Sequence, residues 1–122
     1  MSSIDRFHKE YDGYHFAFHE GLCFEKQVKW EIKTLEKKIE LNPHLPDNYL
    51  QLAQKFLWMK DFNQAEKALR IVVRLDPQSA VPDMLLGDIA ARDGNYIAAR
   101  KYWARGLAKD PANKLLQIRA SL

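Results

Sequence analysis

The chain has 122 residues, a length typical of one domain, and it is 47% hydrophobic and 29% charged. No apolar run approaches the roughly 18 residues that a membrane span needs, and the first residues lack the apolar core of a secretion signal. The net charge of +3 is small for a nucleic-acid-binding surface, and a single cysteine excludes an internal disulfide framework. These features predict a cytoplasmic protein, and abundant Ala, Leu, Lys, Arg and Gln favour helix.

Residues 12–45, which follow an N-terminal segment of residues 1–11, are predicted to form a degenerate helical hairpin. Its first helix would be YHFAFHEGLCFE and its second VKWEIKTLEKKIEL. Apolar residues at positions 28, 32, 35 and 39 of the second helix have the spacing of one helical face. His19 and Glu31 stand where small residues would allow a close crossing. We therefore expect this crossing to be looser, or these two side chains to pair across it.

Residues 46–79 and 80–113 are predicted to form two further hairpins built on one pattern. Pro43, Pro77 and Pro111 are separated by intervals of 34 residues. A proline ends each second helix because its ring cannot continue the helical hydrogen-bond ladder. The turn-type stretches KDF and DGNY join the two helices of each unit.

Small residues occur at matching places in both units. Ala53 and Gly87 lie midway along the first helices, and Ala65 and Ala99 lie early in the second helices. Because two helices cross closely only where both lack bulk, these positions predict the closest approach within each hairpin.

With this period and these small residues, residues 46–113 resemble the tetratricopeptide-repeat (TPR) family. The positions of the family pattern are occupied in the first unit by Tyr49, Leu52, Ala53, Phe56, Ala65, Leu69, Val72 and Pro77. The second unit departs from the pattern at Asp83 and Ala90, where the family has aromatic residues. The resemblance implies an all-α, right-handed superhelix of three helical hairpins, in which residues 114–122 form a short capping helix over the last repeat.

The resemblance also implies that partner segments bind a concave groove lined by the first helices. Helical geometry places ten side chains in this groove: Phe16, Glu20, Phe24, Leu50, Gln54, Leu57, Trp58, Met84, Asp88 and Arg92. So many apolar groups on a solvent-facing surface indicate a partner, with Trp58 as its anchor. The predicted function is a non-enzymatic module that binds an apolar or amphipathic peptide segment, without a cofactor or a small-molecule substrate.

Two alternatives remain open for the groove, since the N-terminal segment of residues 1–11 or a neighbouring copy of the chain could fill it. The alternative function is self-assembly, in which repeats of neighbouring chains stack through their ends into a homo-oligomer. TPR co-chaperones that hold acidic C-terminal carboxylates use Lys and Asn in the groove. Here the corresponding positions hold Leu50 and Gln54, then Met84 and Asp88, so that mode of binding is not expected.

Two other patterns are open to a functional interpretation. His15, His19 and Cys23 lie four residues apart and would share one face of a helix. A metal site would need a fourth ligand, and a catalytic thiol would need a base that activates it; the sequence shows neither. A packing role is therefore favoured for these three residues. The second helices carry a basic face: Lys67, Arg70, Arg74, Arg100, Lys101, Arg105 and Lys109. Such a run is usually a solvated surface. The functional alternative is contact with an acidic protein, a nucleic acid or a membrane surface, and of these the nucleic acid and the membrane are not expected.

Overall fold

The computed structural model describes the backbone of residues 13–122 and the side chains of residues 24–122. Within this part of the chain it contains six helices and no strand. The helices are α1 (Gly13–Leu41), α2 (Pro46–Trp58), α3 (Phe62–Leu75), α4 (Val81–Arg92), α5 (Tyr96–Lys109) and α6 (Lys114–Ala120). Each helix packs against the next one along the chain. The predicted all-α architecture is confirmed.

The helices begin at residues that suit a helix N-terminus. Pro46 and Pro82 lie in the first turns of α2 and α4, where the missing N–H costs no hydrogen bond. The side chains of Asp61, Asn95 and Asn113 accept a hydrogen bond from the backbone N–H three residues later, which caps α3, α5 and α6. The cap positions of α3 and α5 are 34 residues apart, as the repeat predicts.

The Asp-Pro pairs end the second helices, as predicted. Asp76 has φ −136° and ψ 78°, and Asp110 has φ −139° and ψ 79°. A following proline disfavours the helical conformation at the preceding residue, and both second helices stop in the same backbone geometry. The repeat is therefore preserved at the level of single dihedral angles.

The small residues lie at the helix crossings, and all four are buried. Ala53 and Ala65 are fully inaccessible between α2 and α3, and Gly87 and Ala99 lie between α4 and α5. A Cβ atom added to Gly87 would stand 2.5 Å from Cδ1 of Trp103, well inside van der Waals contact. Gly87 thus provides the space that the indole ring of Trp103 occupies.

Residues 12–45 differ from the predicted hairpin. Residues 13–41 form the single 29-residue helix α1, so the prediction of a turn within this segment is wrong. Lys26 and Gln27, placed between the two predicted helices, are good helix formers, and the segment contains no proline before Pro43. Glu31 contacts Lys55 of α2 at 3.4 Å, whereas the side chain of His19 lies outside the described residues.

We expect Gly87→Ala to lower the free energy of unfolding by about 1–3 kcal/mol, because the new methyl group overlaps the ring of Trp103. Gly106→Ala is the matched control. A Cβ there would meet the methyl groups of Leu116 at 3.1 and 3.3 Å and Cβ of Asp83 at 3.2 Å, all farther away than the 2.5 Å contact at Gly87, so we expect a smaller loss. Urea denaturation of both variants measures the difference. Equal losses would mean that the Gly87 crossing is not especially tight.

The loop between α2 and α3 contains a strained residue that glycine should relieve. Lys60 has φ +60°, and its repeat equivalent Gly94 has φ +81°. The left-handed region costs a residue with a Cβ about 1 kcal/mol, so Lys60→Gly should raise the unfolding free energy by up to that amount. Gly94→Ala should lower it similarly, since a Cβ at Gly94 meets no atom within 4 Å and only the backbone is strained. Thermal denaturation of Lys60→Gly without a gain in stability would contradict this explanation.

Candidate functional site

The residues predicted to line the groove lie on α1, α2 and α4. Phe16 and Glu20 lie on the first part of α1, where the side chains are outside the described residues. The side chains of His15, His19 and Cys23, the residues of the metal-site hypothesis, also lie outside the described residues. The roles of all five residues stay predictions. Among the described residues, no group of three His, Cys, Asp or Glu side chains could hold a metal ion.

Phe24 of α1 and Trp58 of α2 form an exposed aromatic pair. Their ring centroids are 6.1 Å apart with the planes tilted by 43°, a favourable geometry for two aromatic rings. Phe24 is 52% exposed and Trp58 is 55% exposed. Each ring therefore keeps about half of its apolar surface in contact with water, which burial by a partner would remove.

Lys55 orients Trp58 and connects the aromatic pair to α1. Its Nζ atom lies 4.2 Å from the centre of the Trp58 ring, within cation–π range. The same Nζ lies 3.4 Å from a carboxylate oxygen of Glu31. A contact chain from Glu31 through Lys55 to Trp58 thus restrains the indole before any ligand binds. Neither side chain was predicted to belong to the groove: Glu31 was expected only at the helix crossing with His19, and Lys55 lies one turn before Trp58.

The other apolar residues of the predicted groove are partly buried. Leu50 and Leu57 pack against the core between α2, α3 and α4, which includes Ala53 and Leu69. Met84 packs against the core between α4, α5 and α6. These side chains contribute to the core as well as to the surface, whereas Gln54 beside them is exposed.

Asp88 makes three hydrogen bonds within the protein. It accepts one from Trp103 Nε1 at 3.1 Å and two from the guanidinium of Arg119, at 2.7 and 2.9 Å. The hydrogen bonds to Asp88 raise the pKa of Arg119, and partial burial opposes them. The carboxylate is thus committed to holding α5 and α6 against α4. Arg92, one turn further along, is exposed and stacks 3.8 Å above the ring of Phe62.

Asp83 is fully buried on α4, where the family pattern has an aromatic residue. Its carboxylate lies 2.6 Å from Arg105 Nη2 and 2.6 Å from Lys109 Nζ, both on α5. A buried carboxylate is tolerated only when it is paired in this way. Two residues of the predicted basic face therefore have a structural partner. Two features of the sequence could have indicated this ion group. Asp83 lies within the largely apolar stretch VPDMLLGDIA, and two cations lie four residues apart on the next predicted helix.

Comparison with solved structures identifies the fold. An Arabidopsis OM64 TPR domain superposes with a TM-score of 0.72 at 20% identity, and the match covers 84% of each chain. The first TPR of Spaghetti (RPAP3) gives a TM-score of 0.70 at 21% identity and covers 84% of this chain and 83% of that one. The chain has the fold of the tetratricopeptide-repeat family. In this TPR fold, α2 and α4 are first helices of repeats and α3 and α5 are second helices.

Sequence comparison adds a partial relationship. The protein O-mannosyl-transferase TMTC1 of Mus musculus is 32% identical over 90 residues, and that of Homo sapiens is 31% identical over 90 residues. Each match covers 70% of this chain but only 10% of the relative's length. No family model matches the chain. Among the described helices, none is long and apolar enough to cross a membrane.

We expect Asp83→Asn to lower the unfolding free energy by about 3 kcal/mol, because it leaves Lys109 and Arg105 without their buried counter-charge. Asp93→Asn is the control, since Asp93 is exposed at the end of α4 and should change stability by less than about 0.5 kcal/mol. Chemical denaturation measures both. A tolerated Asp83→Asn would show that hydrogen bonding, and not charge, is what the site requires.

Proposed function

We propose that this TPR domain is a non-enzymatic protein-interaction module that binds an apolar or amphipathic peptide segment in its concave groove. The observation that carries the proposal is the exposed pair of Phe24 and Trp58. Burial of two adjacent, half-exposed aromatic rings by a partner contributes favourable free energy to binding. Lys55 and Glu31 restrain Trp58 before the partner binds, which reduces the side-chain entropy lost on binding.

The similar structures support a role in protein binding. The first TPR of Spaghetti (RPAP3) was solved bound to an HSP90 peptide, SRMEEVD, and another similar structure is the CopN-Scc3 complex, which covers 99% of this chain with a TM-score of 0.68. The match to the mannosyl-transferase covers only 10% of that protein, so no transferase activity enters the proposal.

The chemistry of the groove favours an apolar ligand over an acidic C-terminus. Leu50 and Met84 provide apolar side-chain surface for a ligand, and Gln54 carries no charge. Asp88 and Arg119 are paired with each other, so this pair offers no free cation to a ligand carboxylate. We therefore propose a ligand with aromatic or aliphatic anchor residues that reach the aromatic pair.

The proposal predicts that replacing the aromatic pair removes peptide binding. Phage-displayed random peptides would be selected on the wild type and then measured by titration. The double variant Phe24→Ala/Trp58→Ala should weaken the selected peptides at least about tenfold, because buried aromatic anchors dominate such interfaces. Trp30→Ala/Tyr96→Ala is the matched control. These residues are 62% and 59% exposed, and we expect their loss to change affinity less than about twofold.

A second readout locates the peptide independently of mutation. In protein labelled with 5-fluorotryptophan, the fluorine resonance of Trp58 should shift on peptide addition while that of Trp30 stays in place. Equal weakening by both double variants, or a shift at Trp30 alone, would overturn the groove as the site.

The alternative function is self-assembly through repeat stacking. It is favoured by Leu115 and Ile118 of α6, which are 54% and 61% exposed. If no peptide is selected and sizing shows a concentration-dependent dimer that Leu115→Ser/Ile118→Ser abolishes, self-assembly replaces peptide binding as the proposed function.

A further inference from the structure

A second groove lies along the second helices α3 and α5. Its volume is about 560 Å³. Three aliphatic residues line it: the partly buried Ile71 and Val73 of α3, and Leu86 of α4, a core residue only 2% exposed that forms its floor. We call it the second-helix groove. An aliphatic lining in a surface groove offers a place for an apolar side chain from outside.

The rest of the second-helix groove is lined by cations. Lys67, Arg70 and Arg74 of α3 and Arg105 of α5 border the aliphatic residues. Within residues 24–122, no ion pair involves Lys67 or Arg74. Arg70 has a contact of 3.5 Å with Glu66, but both side chains are about half exposed and such a pair contributes little. The groove therefore presents positive charge beside its apolar lining.

Tyr102 orders two of these cations. Its hydroxyl accepts a hydrogen bond from Arg70 at 3.2 Å, and the guanidinium of Arg105 lies 5.2 Å from the centre of its ring. Arg105 also forms an ion pair with the buried Asp83, and the side chain of Arg105 remains 49% exposed. Guanidinium groups fixed in advance lose less entropy when they bind a carboxylate, so this arrangement suits an anionic ligand.

We propose that the second-helix groove binds an acidic peptide segment of a partner protein, with one or two aliphatic residues that enter the groove between the cations. Charge complementarity selects the acidic residues, and the partly exposed Ile71 and Val73 select the aliphatic ones. A membrane surface or a nucleic acid would meet the cations with phosphates, whereas a peptide presents carboxylates and single aliphatic side chains together. The proposal is independent of the concave groove.

Fluorescence anisotropy with a short labelled peptide, rich in glutamate and carrying two leucines, tests the proposal on the full chain. Lys67→Glu/Arg74→Glu should weaken binding about tenfold or more, since each reversal replaces an attraction by a repulsion at the site. The matched control Lys37→Glu/Arg100→Glu makes the same change in net charge at exposed residues that do not line the groove. It should stay within about threefold of the wild type at physiological salt, where distant charges are screened.

Three further ligands and one further variant test the chemistry and the place of binding. A peptide with serine in place of both leucines should bind at least about fivefold more weakly, because it gains nothing from the apolar lining. Two other ligands, phosphatidylserine vesicles on the one hand and a short DNA duplex on the other, should each bind the protein more weakly than the leucine peptide does. The Phe24→Ala/Trp58→Ala variant should bind that peptide as the wild type does.

Several results would overturn the proposal. If both charge-reversal pairs weaken binding equally, only the net charge matters. If the serine peptide binds as well as the leucine peptide, the apolar lining has no role, and if vesicles or DNA bind more tightly, the ligand is not a peptide. Loss of binding in Phe24→Ala/Trp58→Ala would assign the acidic peptide to the concave groove. Circular dichroism must show that each variant remains folded.

Discussion

The second half of the molecule depends on the contact between Gly87 and Trp103. Because Gly87 lacks a side chain, the indole of α5 can lie against the backbone of α4, and its N–H reaches Asp88. Asp88 then binds Arg119, so the same contact determines where α6 can dock. A larger residue at the crossing would move the ring, and the hydrogen bonds that join three helices would lose their geometry.

The sequence predicts the two complete repeats well because their signals are local. The prolines after Asp76 and Asp110 act on the adjacent backbone, and the small residues recur at fixed places within each unit. The hairpin prediction for residues 12–45 is wrong because it extends the period from Pro43 into a stretch that lacks those small residues. With no turn residue between its halves, the backbone continues as one helix through Lys26 and Gln27.

The partners of the buried charges could not be predicted in the same way. Helical geometry placed Asp88 on the groove side, but its charge is satisfied by Arg119, a residue 31 positions away. Asp83 was recognised only as a departure from the repeat pattern, although it binds Arg105 and Lys109 of the neighbouring helix. Which cation meets which carboxylate depends on how helices pack, and the periodicity of one sequence does not contain that information. Phe24 and Trp58 were predicted individually, but their contact required the packing of α1 on α2.

The ion group around Asp83 connects stability with surface chemistry. A buried carboxylate requires cations, and the sequence supplies two from α5 where the family pattern would place an aromatic ring. Lys109 is largely covered by this arrangement, but Arg105 extends past Asp83 and remains half exposed beside Tyr102. The ion pair between Arg105 and Asp83 therefore compensates the buried charge of Asp83 and also fixes the guanidinium of Arg105 at the edge of the second-helix groove. Because α4 carries Asp83 together with Met84 and Asp88 of the predicted concave groove, a displacement of this helix would alter both proposed surfaces together.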